Sequence, residues 1–249
     1  MAMARMTVIS DDHGPIGGRR DWPYDAPCRS PRASAVQRRG RRRAMTPDYW
    51  SDAIAALSAA DPVMARLIGA YPAEALVSRD DPFGTLARSI VGQQISVVAA
   101  SSVWARLERE FGAVAPATLG AATDDSLLGC GLSRQKTRYL KDLASQFLCG
   151  SLDPAGWREQ DDEALIADLT RVKGIGRWTA EMFLMFHLMR PDVLPLDDIG
   201  LQRAAGMHYG DGGKLAKAAI EPLAEAWRPW RSVATWYLWR SLDPIPVVY

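Results

Sequence analysis

From residue 46 onward, apolar side chains return every three or four positions, a periodicity that leaves little room for anything but helices. Ile54, Leu57, Val63, Leu67 and Ile68 suit one or two helices ending near Tyr71-Pro72. Leu86, Ile90, Ile95, Val98, Val103, Leu107 and Phe111 keep the rhythm over about seven turns. Further helical stretches are expected from Arg134 to Phe147, Asp162 to Arg171 and Arg177 to Met189, with two more between Gln202 and Trp239. Strand-like alternation is nearly absent, and short Gly- or Pro-marked turns separate the pieces. The chain reads as all-α. Its 249 residues, 48% of them hydrophobic, suffice for one large domain or two small ones.

Charge is unevenly placed. Residues 1–45 hold ten Arg and four Asp, end in Arg38-Arg39-Gly40-Arg41-Arg42-Arg43, and lack an apolar period, so a disordered basic tail is expected there. Thr46-Pro47 after Met45 suits a helix opening, with Thr as cap and Pro in the first turn. Residues 46–249 carry 20 basic and 25 acidic groups, so no general positive field advertises a polyanionic partner. Any such site must be a local basic face or a set of backbone amides. The longest apolar run, Met182 to Met189, is short and broken by His187, and no membrane span or secretory signal is expected. Cys28, Cys130 and Cys149 are odd in number and scattered, which suits free thiols in a reducing compartment. With His13, His187 and His208 far apart, no metal site is expected.

The most informative stretch is Leu169-Thr170-Arg171-Val172-Lys173-Gly174-Ile175-Gly176-Arg177-Trp178-Thr179-Ala180. Two helical segments are joined by Gly174-Ile175-Gly176, whose glycines permit backbone angles closed to other residues while Ile175 plugs the gap. The second helix starts just after Gly176, so its first amides lack intrahelical partners and suit an anionic phosphate oxygen. A Gly-hydrophobic-Gly turn alone is a plain αα-hairpin. In the register Leu169, Val172, Gly174, Ile175, Gly176, Thr179, Ala180 it resembles the helix-hairpin-helix of the DNA glycosylase superfamily that also contains endonuclease III. The resemblance assigns Gly174, Ile175, Gly176, Arg177 and Thr179 to DNA-phosphate binding.

Downstream comes Pro195-Leu196-Asp197-Asp198-Ile199-Gly200-Leu201-Gln202-Arg203. An acidic pair before a helix is ordinarily an N-cap. In the superfamily it resembles, an essential aspartate follows the hairpin by roughly twenty residues, with a basic residue five positions later. Asp198 and Arg203 match, which makes Asp198 the catalytic candidate and Asp197 its support.

Position 178 narrows the family. Members that also cut the strand carry a Schiff-base lysine where this chain has Trp178, so the resemblance implies a monofunctional enzyme without lyase activity. No cysteine follows Cys149, so the iron–sulfur cluster of the endonuclease III branch is not expected. Trp178 resembles the 3-methyladenine DNA glycosylase II (AlkA) family, in its short all-helical form. Ile90-Val91-Gly92-Gln93-Gln94-Ile95-Ser96 is similar to that family's Gly-Gln segment, where a loop side chain wedges into the gap left by an extruded base. That makes Gln94, aided by Gln93, the wedge. Cys130-Gly131-Leu132-Ser133-Arg134-Gln135-Lys136 and Trp227-Arg228-Pro229-Trp230-Arg231-Ser232 through Trp239 match further stretches. The base pocket then involves Trp178, Met182 and Trp239, where an indole face gains about 0.5 to 2 kcal/mol on a cationic base. Trp50, Trp104, Trp227 and Trp236 read as core.

The resemblance implies two helical subdomains with a cleft between them: 46–79 with 195–249, and 80–194 carrying the hairpin at 169–189. It implies excision of alkylated bases, 3-methyladenine foremost and 7-methylguanine second, from double-stranded DNA. The protein is expected to be a monomer, cytoplasmic and associated with a bacterial nucleoid, with no cofactor beyond a monovalent cation at the hairpin. Residues 1–45 are then either a tail upstream of the true start or a basic arm adding non-specific DNA affinity. Two alternatives stay open: a glycosylase for another damaged base, and a non-catalytic helix-hairpin-helix DNA-binding protein.

Overall fold

The computed structural model describes residues 46–72, 76 and 81–242. The tail expected over 1–45 lies outside the described residues, as do parts of the boundary expected near 79. Among the described residues there are twelve α-helices, one 3₁₀ turn and no strand. They run α1 (Trp50–Ala60), α2 (Pro62–Ala70), α3 (Pro82–Gly92), α4 (Val97–Phe111), α5 (Pro116–Ala121), α6 (Asp124–Gly129) and α7 (Arg134–Leu148). Then follow α8 (Asp162–Leu169), α9 (Arg177–Phe186), α10 (Ile199–Tyr209), α11 (Lys217–Glu225) and α12 (Arg231–Leu242). Among the described residues, no helix is long and apolar enough to cross a membrane.

Local chemistry explains most of the breaks. The seven-turn run from Leu86 to Phe111 divides into α3 and α4, because Gln94 takes a left-handed backbone (φ 59°) and Ser96 caps α4 through the amide of Ala99. Periodicity passes straight through this loop, so spacing alone did not reveal it. The expected Thr46 cap does not form: α1 starts at Trp50 after Tyr49, with no side-chain cap. Instead Asp61 caps α2, accepting from the amides of Val63 and Met64. Three helices, α10 to α12, occupy the stretch where two were expected, and the short α5 and α6 went unread.

The chain forms two compact units. The first holds Leu86–Ala155 and Val172–Gly174, with α5 and α6 against α7 and a core that includes Leu107, Leu119, Leu127 and Leu140. The second holds Gly156–Arg171, the described residues from Ile175 to Leu242 and those up to Thr85. In it α12 packs on α1, α2 and α10, while α8 packs on α9. The division therefore falls at 85/86 and 155/156, not at 79/80 and 194/195.

The reason is side-chain chemistry around α8 and α9. Phe183 meets Trp157 edge-on at 5.3 Å, and Arg190 donates to the carbonyls of Trp157 and Gln160. Ser232 of α12 bridges the Arg190 carbonyl and the Val193 amide. These bonds hold the hairpin's helices to the C-terminal helices. Trp50, Trp227 and Trp236 are buried in this second unit and Trp104 in the first, as core aromatics should be. Burial pushes the Asp61 carboxyl up, but hydrogen bonds from Tyr209, Trp227 and two amides outweigh it and hold it below its ordinary value.

Candidate active site

Asp198 ends the turn after Pro195 and is the N-cap of α10. Its amide donates to the Pro195 carbonyl, and buried Gln202 donates from Nε2 to the Leu196 carbonyl at 2.6 Å, so the turn is pinned from both ends. The carboxyl group is buried, 8% exposed, and receives three donors. Oδ1 accepts from the Leu201 amide at 2.6 Å and from Trp239 Nε1 at 2.7 Å, while Oδ2 accepts from Trp178 Nε1 at 2.9 Å. Three N–H groups from α9, α10 and α12 thus fix the orientation of one carboxyl group. Asp197, one residue earlier, is exposed and pairs with Lys217 on α11. The two neighbouring acids are in different surroundings, and only Asp198 has been built into the interior.

Gly200 makes this arrangement possible. A Cβ there would sit 2.9 Å from Asp198 Oδ1, closer than side-chain carbons approach, and 3.0 Å from Trp239 Cδ1, a contact tighter than most. The sequence reading missed both this and the indole donors. Trp178 and Trp239, expected to stack on a base, turn their N–H edges to Asp198. Trp239 also has Phe186 stacked along it, centroids 6.0 Å apart. Met182 is buried at 4% exposure within a helix buried on all sides from Thr179 to Phe186, so it offers no open face to a base.

The hairpin follows α8 with a tight turn. Gly174 has φ 86°, and a Cβ there would lie 2.1 Å from the Tyr139 ring, so both backbone and space demand glycine. Ile175 is buried, 3% exposed, and Gly176 is the exposed N-cap of α9. The first amides of that ten-residue helix have no carbonyl a turn earlier to bind. Thr179 is buried, which leaves its backbone rather than its hydroxyl as the group a phosphate could use. Arg177 differs from expectation. Its guanidinium is forked onto Glu163, with Nη1 2.8 Å from Oε2, and its Nε donates to Glu181 at 3.0 Å. Two carboxylates compete there with any phosphate, and the Glu163 hydrogen bond is the main reason the guanidinium binds its proton more tightly than usual.

Glu181 was not foreseen. It is 4% exposed, and its Oε2 has no partner; burial raises its carboxyl to about 7 against the pull of Arg177. Its place one turn after Arg177 on an otherwise apolar helix was the available signal.

In the first unit, Gln93 and Gln94 part company. Gln93 donates from Nε2 to the Gly174 carbonyl at 2.7 Å, while Gln94 is exposed. The expected pair of wedge side chains is therefore one exposed side chain and one tie. Beyond Gln94 stand the exposed apolar residues Ile95, Val97 and Val98, at 40%, 70% and 74%. Among the described residues, no group of three or more His, Cys, Asp or Glu could hold a metal ion.

An all-helical chain with a glycine hairpin and a buried, triply donated aspartate beyond it has a defined class. The model of the HhH-GPD superfamily of base excision DNA repair proteins matches residues 87–230, and the chain belongs to that superfamily. Within it, the chain is similar to a DNA-3-methyladenine glycosidase structure from Bacillus halodurans, with 35% identity and a TM-score of 0.71. That match covers 80% of this chain and 92% of the other. The Schizosaccharomyces pombe 3-methyladenine DNA glycosylase, solved in complex with abasic DNA, is 29% identical with a TM-score of 0.67, covering 76% and 96%. DNA-3-methyladenine glycosylase 2 of Escherichia coli is 32% identical over 188 residues, covering 71% of this chain and 63% of that one.

Proposed function

We propose that this protein is a monofunctional DNA N-glycosylase that removes alkylated bases from duplex DNA during base excision repair. Its preferred substrate is 3-methyladenine, with 7-methylguanine second. The observation that carries the reading is the Asp198 carboxyl group, buried and held by Trp178, Trp239 and the Leu201 amide. A solved structure 35% identical to the chain and a relative 32% identical to it are named as a DNA-3-methyladenine glycosidase and glycosylase.

The chemistry follows from charge. A purine nucleoside methylated at N3 or N7 is already cationic, so breaking its C1′–N bond releases a neutral base and leaves the positive charge on the sugar. A carboxylate fixed beside that sugar stabilises the oxocarbenium-like transition state better than mobile water does. Water then adds to C1′, its proton passes to Asp198 or to solvent, and an abasic site remains. Trp178 stands where the lyases carry an amine, so no Schiff base forms. The helix-start amides at Gly176 to Thr179 receive a strand phosphate, and Gln94 with Ile95, Val97 and Val98 enters the space of the displaced base, as apolar wedges do in other duplexes. A monovalent cation at the hairpin would be held by backbone carbonyls of the turn. The enzyme acts as a monomer on chromosomal DNA.

A base-release assay on duplexes carrying alkylated purines, uracil or 8-oxoguanine tests this. Alkylated bases should be released, with Asp198→Asn slower by about 10²- to 10⁴-fold at unchanged DNA affinity. Unchanged release by Asp198→Asn overturns the role of this residue. A covalent adduct trapped by borohydride overturns the monofunctional reading.

A further inference from the structure

Lys136 lies in the first turn of α7, and its ammonium group is directed at the loop that follows α3. Nζ donates to the Val91 carbonyl at 2.8 Å and to the Gln93 carbonyl at 2.7 Å. These are carbonyls at the end of α3, where the helix leaves such groups without intrahelical partners. Burial makes the Lys136 ammonium easier to deprotonate than usual, which is the cost of bringing it so far in. Gln93 then passes the connection on: its carbonyl takes Lys136 and its side chain donates to Gly174. Gly174 is itself set against the Tyr139 ring of the same α7, and the Lys173 amide donates to Asp142 one turn further along.

We propose that Lys136 and Gln93 are positioning residues that latch the wedge loop to the hairpin turn, so that Gln94 is presented at a fixed depth when the turn meets a strand. This rests on the glycosylase reading above. The latch holds the carbonyls of Val91 and Gln93 and the Gln93 side chain, and leaves the Gln94 tip exposed. A loose loop would pay the cost of ordering each time it entered the stack; a latched loop has met that cost on folding. Its benefit is confined to opening a paired duplex, because a base already outside the helix needs no wedge.

That confinement supplies the test. Lys136→Met and, independently, Gln93→Leu are compared with the natural protein on two duplexes, one with the alkylated base fully paired and one with it in a single-nucleotide bulge. Release from the paired duplex should fall on the order of tenfold or more. Release from the bulge should stay within about threefold, since no base pair has to be broken there. The second readout needs no chemistry: 2-aminopurine opposite a stable abasic analogue brightens as the wedge unstacks it, and both variants should saturate at a lower plateau with similar affinity. Gln93→Leu keeps the Lys136 contacts, so a shared pattern is not a folding defect of one variant. Equal losses on both duplexes, or none on either with an unchanged plateau, overturn the latch. A natural protein that brightens 2-aminopurine yet releases no base overturns the glycosylase reading, while the plateau still decides the latch. If the natural protein fails to bind DNA at all, both fall.

Discussion

The turn at 195–201 and the loop at 92–98 bear the two groups the proposed reaction depends on, and they are built in opposite ways. At Asp198 the side chain is immobilised: three donors grip two oxygens, and neighbouring glycine leaves no spare space. Before Gln94 the backbone is held instead, at the carbonyls of Val91 and Gln93, and the Gln94 side chain is left exposed. The difference follows from what each group must do. A charge that stabilises a transition state works only if it need not reorganise. A wedge must adapt to whichever base pair it enters, so only its point of departure needs fixing.

If that contrast is right, the tightest point of the aspartate turn should be the least tolerant. Gly200→Ala places a methyl 2.9 Å from Asp198 Oδ1 and 3.0 Å from the Trp239 ring. Turnover should drop on the order of 10²-fold, the loss that a displacement near 1 Å brings, while duplex affinity holds because the hairpin is untouched. Natural turnover in this variant would mean that the turn yields freely, and the contrast would be lost.

Next come the indole donors. Trp178→Phe and Trp239→Phe each keep an aromatic face and delete one N–H. A hydrogen bond to a charged group contributes about 1.5–3 kcal/mol, so each should slow base release by roughly 10- to 100-fold, seen in single-turnover rates. Should Phe serve as well as Trp at 178, the ring rather than its N–H is what matters there, and stacking was the better reading of the sequence.

The sequence made one of these regions far more legible than the other. Asp198 was identifiable because its spacing from Gly176 and the basic residue at 203 match a family register, and the hairpin was identifiable because glycine announces an unusual backbone. The donors to Asp198 were not, because Trp178 and Trp239 lie 20 and 41 residues away along the chain and nothing local states which edge of a ring faces inward. At the wedge, Gln93 and Gln94 are chemically identical, and only the left-handed backbone at Gln94 separates the tie from the tip. Lys136 closes the Cys130–Lys136 stretch, yet its partners are backbone carbonyls, which leave no trace in side-chain identity.

The loose tip should show a smaller effect than the rigid turn. Gln94→Ala should lower release from a paired duplex by several-fold, on the order of what one imperfect filler of an unstacked gap is worth, and leave bulged substrates unaffected. A loss as large as that of Gly200→Ala would instead assign Gln94 a fixed contact and erase the distinction between the regions.

The smallest effect concerns a second buried carboxyl group in the same unit as Asp198. Glu181 has one oxygen on Arg177 and the other unpartnered, where Asp198 has donors on both. Burial, aided by repulsion from Glu163 and Asp198, outweighs the pull of Arg177 and raises it from 4.5 to about 7. The folded protein therefore holds this proton more tightly than the unfolded chain does. The stability so gained is fully present below about pH 4.5 and is lost as pH rises through about 7, in an amount of order 1–3 kcal/mol. Glu181→Gln cannot ionise, so its melting temperature should gain on that of the natural protein by a few degrees between pH 5 and pH 8. Parallel melting curves across that range would show that Arg177 satisfies Glu181 after all. An unpartnered oxygen would then no longer distinguish an interior carboxyl group that merely survives burial from one, like Asp198, that the fold has equipped with donors for use.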